Sequence, residues 1–303
     1  RQRISRYVMR NFLLLFVFLC SCSTKQVAKP VDLITPHKIL SEVSYLSSDA
    51  MQGRYYRSDE ARRAARHIAA AWKKVGLTPL PNKTSMYLPV DDLRAAPNVA
   101  AMLQGNSDQY VLIVAHYDHL KPRRTGQDRI YNGADDNASG TAALLVIAEA
   151  LSNVKEKPEA SIVLIAFTGE EAGFVGSKYF AKNSPFPLSN IRGLINLDMI
   201  SRGEHNTIFL EGSPSAPRIS LAIDTANETV GLKIIRDKHN DWLWRSDQAP
   251  FLERGVPSVF LSVEDHEDYH KVTDSAEKIL PGLAAKTAQL AFLTALNLAR
   301  DVP

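Results

Sequence analysis

Two adjacent glutamates, Glu170 and Glu171, follow the short apolar segment Ser161–Phe167. The segment is rich in β-branched residues and lacks polar alternation, which predicts a strand of a parallel sheet that is buried on both faces. Open α/β sheets place their chemistry at the carboxyl ends of such strands. Because neighbouring side chains of an extended segment point apart, we expect one glutamate to bind a metal ion and the other to move a proton. Alone, such a pair is more often two solvated loop carboxylates.

Two histidines and an aspartate follow a second apolar segment, at 110–115. His116 and Asp118 are two residues apart, so they face the same side of an extended chain. An imidazole nitrogen of His116 can then bind a metal ion while Asp118 orients the ring. His119 points the other way, and we expect it to be a bystander or part of the loop structure.

Three further carboxylates and a histidine lie next to apolar segments of the chain, as the residues above do. The small-residue segment 133–140 contains Asp135 and Asp136. A carboxylate there can bridge two cations, although a helix-capping turn is a strong alternative. Asp198 ends another apolar segment, and His270 comes shortly after the last predicted strand.

Together these strand ends supply two imidazoles and three carboxylates: His116, one aspartate of segment 133–140, one of the two glutamates, Asp198 and His270. A lone histidine at a strand end is more often structural than a ligand, but five suitable groups at successive strand ends are hard to assemble by chance. Imidazole and carboxylate ligands without thiolate suit zinc-like ions. Five ligands exceed one tetrahedral site but match a pair of ions that share a bridging carboxylate and activate a common water.

The elements that position these groups alternate along the chain. The predicted strands lie at 110–115, 161–167, 192–198, 206–210 and 257–262, and the predicted helices at 139–151, 174–182, 216–230 and 282–299. This alternation predicts an α/β fold with a mostly parallel, mixed central sheet and helices on both faces. Ahead of it we expect a helix at 37–46, a second helix capped by Ser58 and ended by Gly76, and extended pieces at 87–104. No repeat or linker interrupts 37–303, which predicts a single domain.

The N-terminal residues have the features of a secretory signal. Residues 1–22 combine a basic start, an apolar stretch too short to span a bilayer, and small residues after it. We expect translation to start at Met9. The segment Leu19–Cys22 resembles the bacterial lipoprotein cleavage box, which implies a lipidated Cys22 followed by a polar tether at 23–36; an ordinary signal peptide is the alternative. The protein is then exported and lipid-anchored to the cell envelope, with a periplasm-facing outer-membrane position favoured over the cytoplasmic membrane.

Composition narrows the possible partners. The 303 residues are 45% hydrophobic and 23% charged, as in ordinary globular proteins. Both cysteines lie within residues 1–22, so the mature domain has no disulfide and depends on its core, to which bound metal can add. Residues 1–22 carry four arginines and no acid, so the net charge of +3 becomes −1 without them. With no basic stripe interleaved with aromatic residues, we expect no nucleic-acid partner.

The motifs as an ordered set strongly resemble the bacterial two-zinc aminopeptidases, whose clan includes glutaminyl cyclases and glutamate carboxypeptidase relatives. They are the spans 115–119, 133–140, 167–171, 196–199 and 268–270. The resemblance runs in order from about Leu46 to the C-terminus. It implies a zinc-exopeptidase fold of the phosphorylase/hydrolase-like type, with two zinc ions per chain.

The resemblance also implies individual roles. The implied ligands are His116 and Asp198 for one zinc, Glu171 and His270 for the other, and Asp136 for both. The peptide bond from Asp136 to Asn137 would be cis, which is rare for a non-proline residue. Glu170 would be the general base, Asp118 would orient His116, and Tyr269 could donate a hydrogen bond to the tetrahedral oxyanion; a core tyrosine is the alternative.

Two positions depart from the pattern of the relatives, and two tryptophans have alternative roles. Ser201 stands where many relatives have glycine, and Gln248 stands where many have histidine, near the expected substrate pocket. Trp242 and Trp244 either line a hydrophobic pocket or pack in the core.

We therefore expect an exported zinc aminopeptidase that removes N-terminal residues from peptides. A glutaminyl cyclase of the same fold and a non-catalytic binding lipoprotein are the alternatives. The complete set of ligands favours the peptidase.

Overall fold

The computed structural model describes residues 29–239 and 241–300. Within these ranges eight strands form one sheet: β1 (Tyr87–Leu88), β2 (Asn98–Leu103), β3 (Tyr110–His116), β4 (Ser161–Phe167), β5 (Ile191–Leu197), β6 (Thr207–Glu211), β7 (Lys233–Arg236) and β8 (Ser258–Ser262). Their spatial order is β1-β2-β4-β3-β5-β8-β6-β7. The four central strands β4, β3, β5 and β8 are mutually parallel. On the two sides, β2 is antiparallel to β4 and β6 is antiparallel to β8, so the sheet is mixed, as predicted.

Seven α-helices of the described ranges cover the sheet: α1 (Pro36–Leu46), α2 (Asp59–Lys74), α3 (Gly140–Ser152), α4 (Val175–Lys182), α5 (Pro217–Val230), α6 (Ala249–Leu252) and α7 (Pro281–Arg300). Helices α1, α2, α3, α5 and α7 contribute to one apolar cluster, and α4 and α6 contribute to a second cluster across the sheet. The prediction of helices on both faces is confirmed.

The central strands are apolar throughout because both of their faces are covered. In β3, Val111 and Ile113 belong to the larger cluster, whereas Leu112 and Val114 belong to the cluster on the opposite face. The same alternation runs through β4. A strand buried on both sides has no position for a polar residue until its end, and this is why the first hydrophilic side chains appear together at the sheet edge.

Most predicted elements agree with the structure to within two residues. Ser58 caps α2, since its Oγ accepts a hydrogen bond from the main-chain N–H of Ala61 at 3.1 Å, and Gly76 follows with φ of +86°. Strand β7 was not predicted because its sequence, Lys233–Arg236, is charged at both ends and partly exposed.

The prediction that residues 23–36 form a tether is wrong for residues 30–36. Residues Pro30–Leu33 form a short helical turn, Ile34 is buried, and α1 begins at Pro36. The physical reason is the apolar side chain of Ile34, which packs into the larger apolar cluster just before α1 begins.

The predicted signal segment, with Met9 and Cys22, lies outside the described residues. Among the helices that the structure does describe, none combines the length and apolar character needed to cross a membrane.

Arg54 joins three parts of the chain behind the carboxyl ends of the central strands. It is the only arginine or lysine that is buried among the described residues. Its guanidinium donates to four main-chain carbonyls, those of Leu46, Tyr117 at 2.9 Å, Asn132 at 2.8 Å and Gly133 at 2.9 Å. Burial lowers the pKa of Arg54 to about 10, while nearby carboxylates act in the opposite direction. The side chain therefore stays cationic at neutral pH and fixes the loops that follow β3 and precede α3.

We expect Arg54→Met to destabilise the fold by about 4 kcal/mol or more, because four buried carbonyls lose their donor. Arg54→Lys keeps the charge but has fewer hydrogen-bond donors, so its free energy of unfolding should lie between those of Arg54→Met and wild type. Urea unfolding followed by tryptophan fluorescence measures the loss in the free energy of unfolding. The control is Arg63→Met, since Arg63 is exposed and donates to the carbonyl of Ala50. An Arg54→Met protein within 1 kcal/mol of wild type would contradict this role.

Candidate metal centre

The carboxyl ends of the central parallel strands bring the predicted ligands to one edge of the sheet. His116 is the last residue of β3 and Asp198 directly follows β5. The two strands pair with Val114 opposite Asn196, which brings His116 level with Asp198. Glu170 and Glu171 follow β4, while Asp136 precedes α3 and His270 follows β8. Sequence-distant residues thus converge because their strands are neighbours in the sheet.

The first cluster consists of His116, Asp198 and one oxygen of Asp136. His116 Nε2 lies 3.2 Å from Asp198 Oδ1 and 3.5 Å from Asp136 Oδ1. Two ligand atoms on one tetrahedral zinc ion are roughly 3.3–3.5 Å apart, given bond lengths of about 2.0–2.1 Å. These separations suit one shared ion. Burial alone would lower the pKa of His116, but the carboxylates of Asp198 and Glu170 raise it well above its usual value.

The second cluster consists of His270, Glu171 and the other oxygen of Asp136. His270 Nε2 lies 3.2 Å from Asp136 Oδ2 and 3.2 Å from Glu171 Oε2. Asp136 therefore turns one oxygen to each cluster. The peptide bond from Asp136 to Asn137 is cis, as the resemblance implied.

The chemistry of these residues fits a pair of divalent cations. Five carboxylates lie close together with little exposure: Asp118, Asp136, Glu170, Glu171 and Asp198. Buried carboxylates are unstable unless cations or donors compensate them. Imidazole nitrogens and carboxylate oxygens without thiolate are a donor set for zinc-like ions. Two groups of three described side chains lie close enough together to hold an ion: His116 with Glu170 and Asp198, and His119 with Asp136 and Glu171.

Glu170 and Glu171 face different clusters, as predicted, although both lie in the turn beyond the end of β4 rather than in an extended segment. Glu170 Oε2 lies 4.0 Å from His116 Nε2, farther than the other ligand pairs of the first cluster. Burial raises the pKa of Glu170 well above its usual value, against the influence of His116. Glu170 thus lies beside the first cluster, and its carboxyl group can hold a proton. Glu171 contacts the second cluster instead.

The contact that orients His116 differs from the predicted one. His116 Nδ1 lies 3.1 Å from the main-chain oxygen of Asp118, and 3.8 Å from its carboxylate Oδ1. The carboxylate instead accepts a hydrogen bond from the main-chain N–H of Glu170 at 3.1 Å. The chain turns after β3, so the side chain of Asp118 is directed to the loop after β4. Asp118 therefore positions Glu170 with its side chain and His116 with its backbone.

His119 was predicted to be a bystander or part of the loop structure, and the first alternative is wrong because the ring contacts Glu171. Its ring is fully buried, and Nδ1 lies 2.7 Å from Glu171 Oε1 and 3.7 Å from Asp136 Oδ2. The alternation rule did not apply because β3 ends at His116. The signal that the sequence offered was a second histidine three residues after the first.

A small cavity of about 40 Å³ adjoins the first cluster. Its lining comprises Asp198, Met199, Trp242, Arg245, Phe260, Ser262, Asp265 and Tyr269. Tyr269 stacks on His270 with ring centroids 3.9 Å apart, and its role toward an oxyanion stays a prediction. Trp242 both lines the cavity and packs against Phe209 and Phe260, whereas Trp244 is 54% exposed.

The two positions that depart from relatives support neighbouring segments. Gln248 is buried; its Oε1 accepts from Asn196 at 2.7 Å, and its Nε2 donates to the Trp242 carbonyl at 2.9 Å. Gln248 thereby fixes the turn that carries Trp242 rather than lining the cavity. Ser201 donates from its N–H and Oγ to Asp135 Oδ1, at 2.7 and 2.6 Å.

Comparison with known proteins gives one family match. Residues 98–295 match the model of Peptidase family M28. The chain is 30% identical over 205 residues to a probable zinc metalloprotease of Pyrenophora tritici-repentis, covering 56% of this chain and 46% of that protein. The chain spans about half the length of the metalloprotease relatives that it matches.

Solved structures share the fold at low sequence identity. The LapA aminopeptidase of Legionella pneumophila superposes with a TM-score of 0.75 at 16% identity, covering 90% of this chain and 74% of that one. The glutaminyl cyclase of Porphyromonas gingivalis superposes with a TM-score of 0.70 at 18% identity, covering 86% of this chain and 98% of the cyclase chain. The expected zinc-exopeptidase fold is confirmed. Because the family match covers the central strands and all five predicted ligands, the chain belongs to Peptidase family M28.

Proposed function

We propose that this protein is a zinc-dependent exopeptidase, specifically an aminopeptidase that hydrolyses N-terminal residues of peptides. The observation that carries the proposal is the pair of ligand clusters that share Asp136, with Glu170 buried beside them. Membership of the family supports it, as do the zinc metalloprotease relatives and the aminopeptidase among the structural neighbours.

We propose two zinc ions per chain. His116 and Asp198 would hold one ion, Glu171 and His270 the other, and Asp136 both. When bound, such ions polarise a scissile carbonyl and lower the pKa of a coordinated water. The spacing within each cluster supports this arrangement.

The protein's own groups would move the proton and orient the substrate. Glu170 would accept a proton from the attacking water and pass it to the leaving amine, which suits a carboxyl whose pKa is raised by burial. Asp118 holds the backbone of Glu170 in place. Tyr269 would donate a hydrogen bond to the oxygen of the scissile carbonyl. The cavity beside Trp242 and Phe260 would take an apolar part of the substrate.

A glutaminyl cyclase is the second candidate, supported by the cyclase fold that covers 86% of this chain. The presence of two complete ligand clusters, rather than ligands for one ion, favours the peptidase. A non-catalytic binding lipoprotein is disfavoured because none of the five ligands is missing.

The Glu170→Gln variant should keep its metal and its fold but lose about 10³-fold or more in kcat, because the amide cannot accept the proton. Hydrolysis of aminoacyl p-nitroanilides gives kcat, and elemental analysis gives the metal content. Exposed Glu253→Gln is the matched control and should be fully active. An active, zinc-loaded Glu170→Gln protein would rule out this role.

A substrate panel separates the two candidate enzymes. We expect hydrolysis of peptides with free N-termini, no hydrolysis of N-blocked peptides, loss of activity with a chelator, and recovery when zinc is restored. Mass spectrometry of Gln-initiated peptides tests for cyclisation with loss of ammonia. Cyclisation without hydrolysis would identify a cyclase, and cleavage of blocked peptides would argue against an aminopeptidase.

We also propose that Cys22 is lipidated and anchors the protein to the cell envelope, with the outer membrane facing the periplasm as the favoured site. The cleavage box Leu19–Cys22 supports this. On expression of the full chain in a bacterial host, Cys22→Ala should move the protein from the membrane fraction to the soluble fraction. Cys20→Ala, two residues away, should leave it in the membrane. A Cys22→Ala protein that stays in the membrane would contradict the anchor.

A further inference from the structure

We propose that His119 is a positioning residue of the second metal position: it donates a hydrogen bond from Nδ1–H to Glu171 Oε1, leaves Oε2 for the ion, and so determines how tightly that ion is held. The inference rests on the proposed function. It concerns a histidine outside the set of five ligands, which we expected from the sequence to be a bystander.

Distances separate the role of His119 from that of His270. His270 Nε2 lies 3.2 Å from Glu171 Oε2, within the range of two ligands on one ion. His119 Nδ1 lies only 2.7 Å from Glu171 Oε1. Two atoms bound to the same tetrahedral zinc ion stand roughly 3.3–3.5 Å apart, whereas a charge-assisted N–H···O bond is about 2.7–2.9 Å long. His119 is therefore a hydrogen-bond donor to the ligand rather than a further ligand.

The hydrogen-bond partners assign the proton of the His119 ring. An ionised carboxylate only accepts hydrogen bonds, so Nδ1 must carry the hydrogen. Nε2 is buried and has no hydrogen-bond partner in the described part of the chain, so Nδ1 is the ring nitrogen that makes the hydrogen bond.

Packing holds the His119 ring in one position. The ring lies against Gly133, where a Cβ atom would come within 2.5 Å of His119 Cδ2. Gly133 has φ of +57°, and its carbonyl accepts a hydrogen bond from Arg54. The same Cβ atom would come within 2.2 Å of the main-chain oxygen of Asp136, so this glycine makes room for both the His119 ring and the backbone of Asp136.

The second metal position needs such support more than the first. The His116 side chain of the first cluster is 1% exposed, whereas the His270 side chain is 38% exposed and comes from a loop. With one partly solvent-accessible ligand from a loop, the second ion depends on how well Glu171 is oriented. Hydrogen-bond partners of metal ligands change metal affinity by about 10–100-fold.

The test compares His119→Ala and His119→Asn with wild type in zinc titrations against a chromophoric chelator, which resolve the two binding steps. We expect His119→Ala to weaken the second step by about 10–100-fold and to leave the first unchanged. Asparagine places an N–H donor where Nδ1 stands, so it should restore the second step to within about threefold. Exposed His205→Ala is the matched control and should change neither step.

Cobalt absorption spectra give a second readout that does not depend on activity. With both positions filled, the d–d bands of His119→Ala should match wild type, since no ligand to the ion has changed. Should the alanine variant not fold, His119→Gln takes its place, because it keeps the bulk but moves the donor away from Glu171.

Three outcomes would overturn the inference. An unchanged second step in His119→Ala would exclude the positioning role. Altered cobalt bands without rescue by asparagine would make His119 a ligand instead. Equal weakening of both steps would indicate general structural damage. A wild-type protein that binds no zinc would instead refute the proposed function, so the two failures are distinguishable.

Discussion

The organisation of this protein depends on one electrostatic constraint, the burial of several carboxylates at a single edge of the sheet. Asp118, Asp136, Glu170 and Asp198 are each less than one-tenth exposed. Such a group is stable only if cations and hydrogen-bond donors surround it. The chain provides imidazoles, main-chain N–H groups and the guanidinium of Arg54. Bound divalent ions would supply the remaining positive charge, which is why a metal centre explains the residues better than a set of solvated loops.

The sheet makes this concentration of charge possible. Parallel neighbours place their carboxyl ends at the same edge, and the apolar residues of β3 and β4 cover both faces up to that edge. Polar residues can therefore gather only where the strands end. The adjacency of β3 to both β4 and β5 then joins His116, Asp198 and the two glutamates, although they lie far apart in the chain.

The residues behind the ligands have a common property: they bond to the backbone or to the carboxylate that they position. Arg54 holds main-chain carbonyls, Asp118 holds the N–H of Glu170, and His119 holds the carboxylate of Glu171. None of these three contacts uses the ligand atoms that would face an ion.

The sequence by itself determined the strand and helix pattern and the five ligand candidates, because apolar periodicity and residue type at strand ends are local properties. The segments 110–115 and 161–167 were predictable in this way. Glu170 and Glu171 do face different clusters, but both lie beyond the end of β4, so strand alternation does not explain their directions. The resemblance added the choice of Asp136 and Glu171 as ligands and the cis bond at Asp136. Only the tertiary structure decided the roles of His119 and Arg54, the backbone contact from Asp118 to His116, and the packing of Ile34. Beyond the end of a strand the alternation rule no longer applies, and side-chain direction is set by contacts with residues distant in the chain.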